Sequence, residues 1–172
     1  MKKMHHASHY LMGEFVEEYL DKEDSLKILD VGSMEVDGSG TYRDLFDNIG
    51  WEYVGLDTNY GPNVDIATMY PYDIPSRDDT YDVVISGQAL EHMEYFWVMI
   101  KEMVRVLKED GLMCIIVPSD GQVHRYPVDC WRFNRDGLIA MAKWGELQVL
   151  KAEVTNHSEW KDAILIARKW IY

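Results

Sequence analysis

The sequence predicts an α/β protein with a doubly wound, mostly parallel sheet and helices on both faces. Three observations carry this. Short apolar runs recur along the chain, and most stop at an acid, a glycine or a proline, as strands buried on both faces do. Amphipathic or polar stretches separate them, so strands and helices alternate. No repeat, low-complexity tract or Pro/Ser-rich linker divides the 172 residues, which predicts one domain over 1–172.

Tyr10, Leu11, Phe15, Val16 and Tyr19 stand at helical spacing with acids between them, an opening helix over 10–19. Leu26 to Gly32 reads as the first strand. Thr41 to Asn48 is compatible with a short helix, and Trp51 to Leu56, ending on Asp57, with the second strand. Between Thr58 and Thr80, Gly61, Pro62, Pro71 and Pro75 leave room only for a short strand near Val64 to Ala67. Tyr81 to Gly87 is the next strand. Met93, Phe96, Trp97, Ile100, Met103, Val104 and Leu107 follow i, i+3, i+4, i+7 spacing, with Lys108 and Gly111 marking the helix end; Phe96 and Trp97 read as core. Leu112 to Val117 is a strand stopped by Pro118. A long loop from Ser119 to Phe133, a helix over 136–143 and strands over 147–154 and 163–168 complete the chain, the last strand antiparallel.

Composition narrows the function. Thirty acidic against seventeen basic residues give a formal charge of −13. That disfavours a phosphate-backbone binder, which needs clustered Lys and Arg, and suits a neutral or cationic small partner. No apolar run approaches the ~18 residues of a membrane span, and Met1-Lys2-Lys3-Met4-His5-His6 has no apolar segment behind its charges; the cytoplasm is the expected address. Cys114 and Cys130 form no disulfide framework and lack metal-ligand spacing, so no metal is expected.

In a doubly wound sheet, ligands bind beyond the carboxyl ends of the strands. Asp30 and Gly32 end the first strand, Asp57 the second, and Ser86, Gly87 and Gln88 follow the fourth. A carboxylate closing the second strand can accept both ribose hydroxyls of a nucleoside. The loop after Gly32 lacks G-x-G-x-x-G and carries Glu35 and Asp37, which would repel a pyrophosphate. With Asp30, these acids suit a nucleoside with a positive end and no phosphate. S-adenosylmethionine, with its ammonium and sulfonium, is such a ligand.

Leu29-Asp30-Val31-Gly32-Ser33, Tyr53-Val54-Gly55-Leu56-Asp57, Tyr81-Asp82-Val83-Val84-Ile85-Ser86, Ala89-Leu90-Glu91-His92 and Arg105-Val106-Leu107-Lys108-Glu109-Asp110-Gly111-Leu112, in that order, resemble class I S-adenosylmethionine-dependent methyltransferases. The segment His124 to Phe133 is similar to a loop in some small bacterial members. The resemblance implies a Rossmann-like methyltransferase fold, S-adenosylmethionine as cofactor and S-adenosylhomocysteine as product. It places Asp30, Gly32 and Ser33 at the methionine end, Asp57 with Thr58 at the ribose, and Ser86, Gly87 and Gln88 beside the methionine and sulfonium. Met34 stands where the family has a second glycine. Asp65, or Met69 and Tyr70 in another register, fall where the family recognises adenine.

For the acceptor, the loop gathers His124, Arg125, Tyr126, Asp129, Trp131 and Arg132 within nine residues, and long loops on α/β folds are often functional. His124 and Asp129 are candidate acid–base residues, with Glu91 and His92 behind them. Arg125, Tyr126, Trp131, Arg132 and Tyr10 are candidates for acceptor binding. The same residues admit structural roles: Arg132 with Asp129 as a loop clasp, Trp131 as a core plug, Glu91 and His92 as a helix start, Asp30 as a helix cap. The expected reaction is methyl transfer to a small molecule or sugar-bearing metabolite. A non-catalytic cofactor-binding module or partner subunit is the alternative; a nicotinamide oxidoreductase would need phosphate contacts this loop lacks.

Overall fold

The structure, a computed structural model, describes residues 6–36, 38, 40–156 and 160–170. Asp37 and the N-terminal residues Met1 to His5 invoked above lie outside them. In chain order the helices are α1 (His6–Tyr19), α2 (Phe96–Val106) and α3 (Arg135–Trp144). The strands are β1 (Lys27–Val31), β2 (Glu52–Asp57), β3 (Ile66–Ala67), β4 (Tyr81–Gly87), β5 (Leu107–Pro118), β6 (Leu147–Val154) and β7 (Asp162–Lys169).

The strands form one sheet in the order β3-β2-β1-β4-β5-β7-β6. Pairing is parallel from β3 to β5, with Leu29 opposite Val54 and Val84. β7 is antiparallel to both neighbours, with Cys114 opposite Ile166. Because side chains alternate along a strand, each central strand feeds two cores. Ile28, Val83, Ile85, Cys114, Ile116 and Ile164 pack under Leu11, Met12 and Phe15 of α1. Leu29, Val84, Met113, Ile115 and Leu165 pack under Met99, Ile100 and Met103 of α2 and Leu138 and Met141 of α3. This is the doubly wound arrangement the apolar runs predict, and the antiparallel last strand is present.

Some expectations are corrected. The segment 41–48 holds only a 3-10 turn, Arg43–Phe46, in which the Leu45 N–H donates to the Tyr42 carbonyl at 2.9 Å. Tyr42 and Phe46 are both buried against the α1 side of the sheet, and the turn stops at Asp47, whose ψ of 81° leaves the helical path. The helix read over 93–107 begins at Phe96, after a separate 3-10 turn Leu90–His92, and ends at Val106. Gly111 therefore lies within β5, after Asp110 at φ +62°, where a side chain would press on the Asp82 and Lys108 carbonyls. Trp97 is exposed rather than core: its ring faces Tyr95, Phe96 and Trp131 on the outer side of α2. Asp30 caps no helix, being a buried residue of β1.

Candidate active site

The carboxyl ends of β1, β2 and β4 lie side by side, and the chain leaving β1 is laced onto β2. The N–H groups of Gly32 and Ser33 both donate to the Leu56 carbonyl, at 2.9 and 3.1 Å. Gly32 has φ +79°, and a methyl group there would overlap Ala89, so only glycine makes this turn. Met34 N–H then donates to Asp57 Oδ2 at 3.2 Å, while Asp57 Oδ1 accepts from Asn59 N–H at 3.2 Å and faces the Thr58 hydroxyl at 3.4 Å. Asp57 is thus fixed at the strand end, half-buried, with an edge toward solvent. The Met34 side chain occupies space freed by Gly61. Glu35 turns back on its loop and accepts from Gly40 N–H.

Behind this edge, Asp30 is buried with Oδ2 accepting from the Tyr53 hydroxyl, and among the described residues Oδ1 has no hydrogen-bond partner. Burial pushes its carboxyl up to about 7, against the pull of Tyr53 and Arg43. The buried Ser86 hydroxyl donates to the Val31 carbonyl at 2.8 Å, tying β4 to β1. Gly87 lets the Tyr42 ring lie against its backbone, and Tyr42 in turn bonds Ser8 at 2.5 Å. Gln88, at φ +56°, donates through Nε2 to Asp162 at 2.8 Å. Ser86 and Gln88 therefore spend these bonds on holding the β4 turn.

The adenine candidates separate. Asp65 is held by Arg43 at 2.5 Å and the Gly55 N–H at 2.7 Å; these overcome its partial burial and keep its carboxyl below the ordinary value. Met69 and Tyr70 are strongly exposed. Sequence reasoning missed Arg43 and Asn63. Arg43 lies over the Tyr53 ring at 4.4 Å and donates to Asn63 Oδ1 at 2.6 Å, and Asn63 donates to the Ser33 carbonyl at 2.8 Å. The one visible signal is a lone arginine in an otherwise acidic stretch.

The second half of the site is built by the loop after β5. Phe133 N–H donates to the Pro118 carbonyl at 3.0 Å, closing the loop on itself, and Cys130 N–H donates to the Glu91 carbonyl at 2.7 Å, pinning it on the turn after β4. Glu91, His92, His124 and Asp129, far apart in sequence, are thereby brought together. Asp129 accepts both guanidinium nitrogens of Arg132, at 2.6 and 2.9 Å, and the His124 N–H at 2.7 Å. Arg132 draws its carboxyl far below the ordinary range. His124 Nδ1 faces the Gln122 carbonyl at 3.4 Å and lies 3.3 Å from Asp129 Oδ2, and His92 Nδ1 donates to the Val128 carbonyl at 2.6 Å. The two imidazoles meet edge to face at 4.8 Å, with Tyr126 against both. Burial lowers the pKa of His92.

Glu91 is fully buried, and among the described residues neither carboxylate oxygen has a hydrogen-bond partner. Burial pushes its carboxyl up to about 8, helped by Asp129 and Asp162 and opposed by Arg132. The clasp between Arg132 and Asp129 is present. Trp131 does not plug the core: about a third exposed, it packs on Phe96 and Trp97 and donates to the Met93 carbonyl. Arg125 is exposed on the same loop. Tyr10 stands apart, exposed on α1 beside Glu14 and Lys151.

The donor set fits S-adenosylmethionine. The edge offers the Asp57 carboxylate, of the kind that accepts a ribose diol, with buried Asp30 behind it, and the segments 32–40, 58–65 and 88–95 that follow β1, β2 and β4 carry no lysine to hold a phosphate.

A family model described as a methyltransferase domain matches residues 4–151. No curated protein sequence matches the chain. Among solved structures, a Burkholderia thailandensis 1,6-didemethyltoxoflavin-N1-methyltransferase with bound 1,6-didemethyltoxoflavin and S-adenosylhomocysteine is similar at TM-score 0.72 and 14% identity, covering 97% of this chain and 80% of that one. A SAM-dependent methyltransferase from Aquifex aeolicus is similar at 0.66 and 16% identity, covering 91% and 88%. The [4+2]-cyclase SpnF is similar at 0.69 and 16% identity, covering 94% and 82%, so the fold alone does not fix one reaction. With most of its length matched by the family model, the chain belongs to the methyltransferase-domain family of class I, S-adenosylmethionine-dependent enzymes.

Proposed function

We propose that this enzyme methylates a small molecule at a hydroxyl or similar protic group, with His124 receiving the acceptor proton. The observation that carries this is the His124–Asp129–Arg132 relay packed against the turn that follows β4. Asp129, held anionic by Arg132, accepts the His124 backbone N–H and lies 3.3 Å from Nδ1, which also faces the Gln122 carbonyl; a proton on Nδ1 leaves Nε2 with its lone pair. Bound S-adenosylmethionine supplies an electrophilic methyl on its sulfonium. The chain's own residues do the rest. Asp57 binds the ribose diol, Asp30 faces the positive end, and Gly32, Ser33 and Gly87 hold the backbone close. Tyr126 and Trp131, exposed on the loop, offer aromatic faces to the acceptor. The relay aligns the acceptor and takes its proton, and the remaining work is positioning and exclusion of water.

A charge of −13 supports a small, uncharged or cationic acceptor over nucleic acid. Among the described residues no helix is long and apolar enough to cross a membrane, and both cysteines are free. The test is formation of S-adenosylhomocysteine with hydroxylated small molecules, sugars, RNA and protein offered in parallel. Turnover is expected in the small-molecule or sugar arms; turnover confined to RNA or protein would overturn the reading.

A further inference from the structure

We propose that Glu91, His92 and His124 form a binding site for one divalent transition-metal ion of borderline softness, such as Zn²⁺, with an open position toward the acceptor. One ligand atom from each residue lies within 4.8 Å of the other two. His92 Nε2 is 3.7 Å from Glu91 Oε1. Two histidines and one carboxylate with a free fourth position are a donor set that divalent zinc takes in catalytic sites.

Three features mark this as a built site. First, the Glu91 carboxylate is fully buried with both oxygens unpartnered, although buried carboxylates ordinarily find hydrogen bonds or ions. Second, each histidine has an outer partner at Nδ1, the Val128 carbonyl for His92 and the Gln122 carbonyl for His124, whose Nδ1 also lies 3.3 Å from Asp129 Oδ2. With Nδ1 protonated, the lone pair of each ring stands at Nε2, the outer-shell arrangement that orients metal-binding imidazoles. Third, Asp129 is itself fixed by Arg132, so the outer shell is rigid. Ligand atoms bound at about 2.1 Å in a tetrahedral site stand about 3.4 Å apart, so the three groups close by about an ångström on binding. The sequence hides the site because its ligands lie 32 residues apart on two loops and include no cysteine.

The inference concerns the acceptor half of the proposed active site. It rests on that reading for the ion-free chain, in which His124 takes the acceptor proton; an ion seated there would hold the His124 lone pair instead, and its charge would ease loss of the hydroxyl proton to solvent.

The test is calorimetric titration of chelator-treated full-length chain with ZnCl₂, with Co²⁺ absorption as a second readout. One equivalent is expected, with visible d–d bands and no thiolate charge-transfer band. His124→Ala and Glu91→Gln should each weaken binding at least tenfold, and Asp129→Asn about 10–100-fold through the outer shell. A variant carrying His5→Ala, His6→Ala and Cys130→Ser should bind unchanged. No binding, or binding lost only in that last variant, would overturn the proposal. Circular dichroism and S-adenosylmethionine titration of the same preparations report folding and the methyltransferase reading separately, so a failed metal site is told apart from a failed enzyme.

Discussion

Glu91→Gln isolates the energetic consequence of burying an unpartnered carboxyl. In the folded chain this group titrates near 8 rather than 4.5, because burial disfavours its charged form. The folded-state value is raised, so the group's contribution to stability is fully present below about pH 4.5 and is lost as pH rises through about 8. The loss runs at about 1.4 kcal/mol per pH unit and reaches at most about 5 kcal/mol above pH 8. Glutamine keeps the shape and does not titrate. The stability difference between Glu91→Gln and the parent should therefore move in the variant's favour by about 1.4 kcal/mol per unit from pH 5 to 8 and level off beyond. Asp30 titrates upward as well, but identically in both proteins, and cancels. Urea unfolding with chelator present, at pH 5, 6.5, 8 and 9, measures the difference. A pH-independent difference would refute the burial argument.

His124→Ala should lower turnover by about 10²–10⁴-fold with S-adenosylmethionine affinity unchanged, measured by single-turnover kinetics; an unchanged rate on the true acceptor removes His124 from proton transfer. Gly32→Ala forces a left-handed backbone and a clash with Ala89, and should destabilise the fold by about 2–4 kcal/mol in urea unfolding. Arg132→Lys replaces a two-pronged grip on Asp129 by a single point charge. It should lower the melting temperature by several degrees, from a loss of about 1–3 kcal/mol.

The sheet is readable from sequence because the central strands β1, β4 and β5 are buried on both faces and become nearly unbroken apolar runs, with distinctive residues at or near the strand ends, as at Asp30, Asp57 and Gly87. Elements fixed by tertiary contact are less readable. Thr41 to Asn48 sets Tyr42 and Phe46 four residues apart as a helix face would, yet the chain leaves the helical path at Asp47 after one tight turn. Trp97 has core spacing on α2 but covers no strand; its partners are other surface aromatics. In the site, the acids at the strand ends follow from topology, and the chemistry of the 124–132 loop is visible as composition. Its folding back onto Glu91 depends on backbone bonds from Cys130 and Phe133, which leave no side-chain signature. The same holds for Asp65, whose partner Arg43 lies 22 residues earlier across a loop.

The central claim, that the carboxylate closing β2 receives a cationic nucleoside, is tested most directly by calorimetric titration of the parent and Asp57→Ala with S-adenosylmethionine and with NAD. The parent should bind one equivalent of S-adenosylmethionine and no NAD. Loss of charge-assisted bonds to the diol should weaken that binding by about 10–100-fold, from roughly 1.5–3 kcal/mol. Tight NAD binding, or S-adenosylmethionine affinity indifferent to Asp57, would contradict the account.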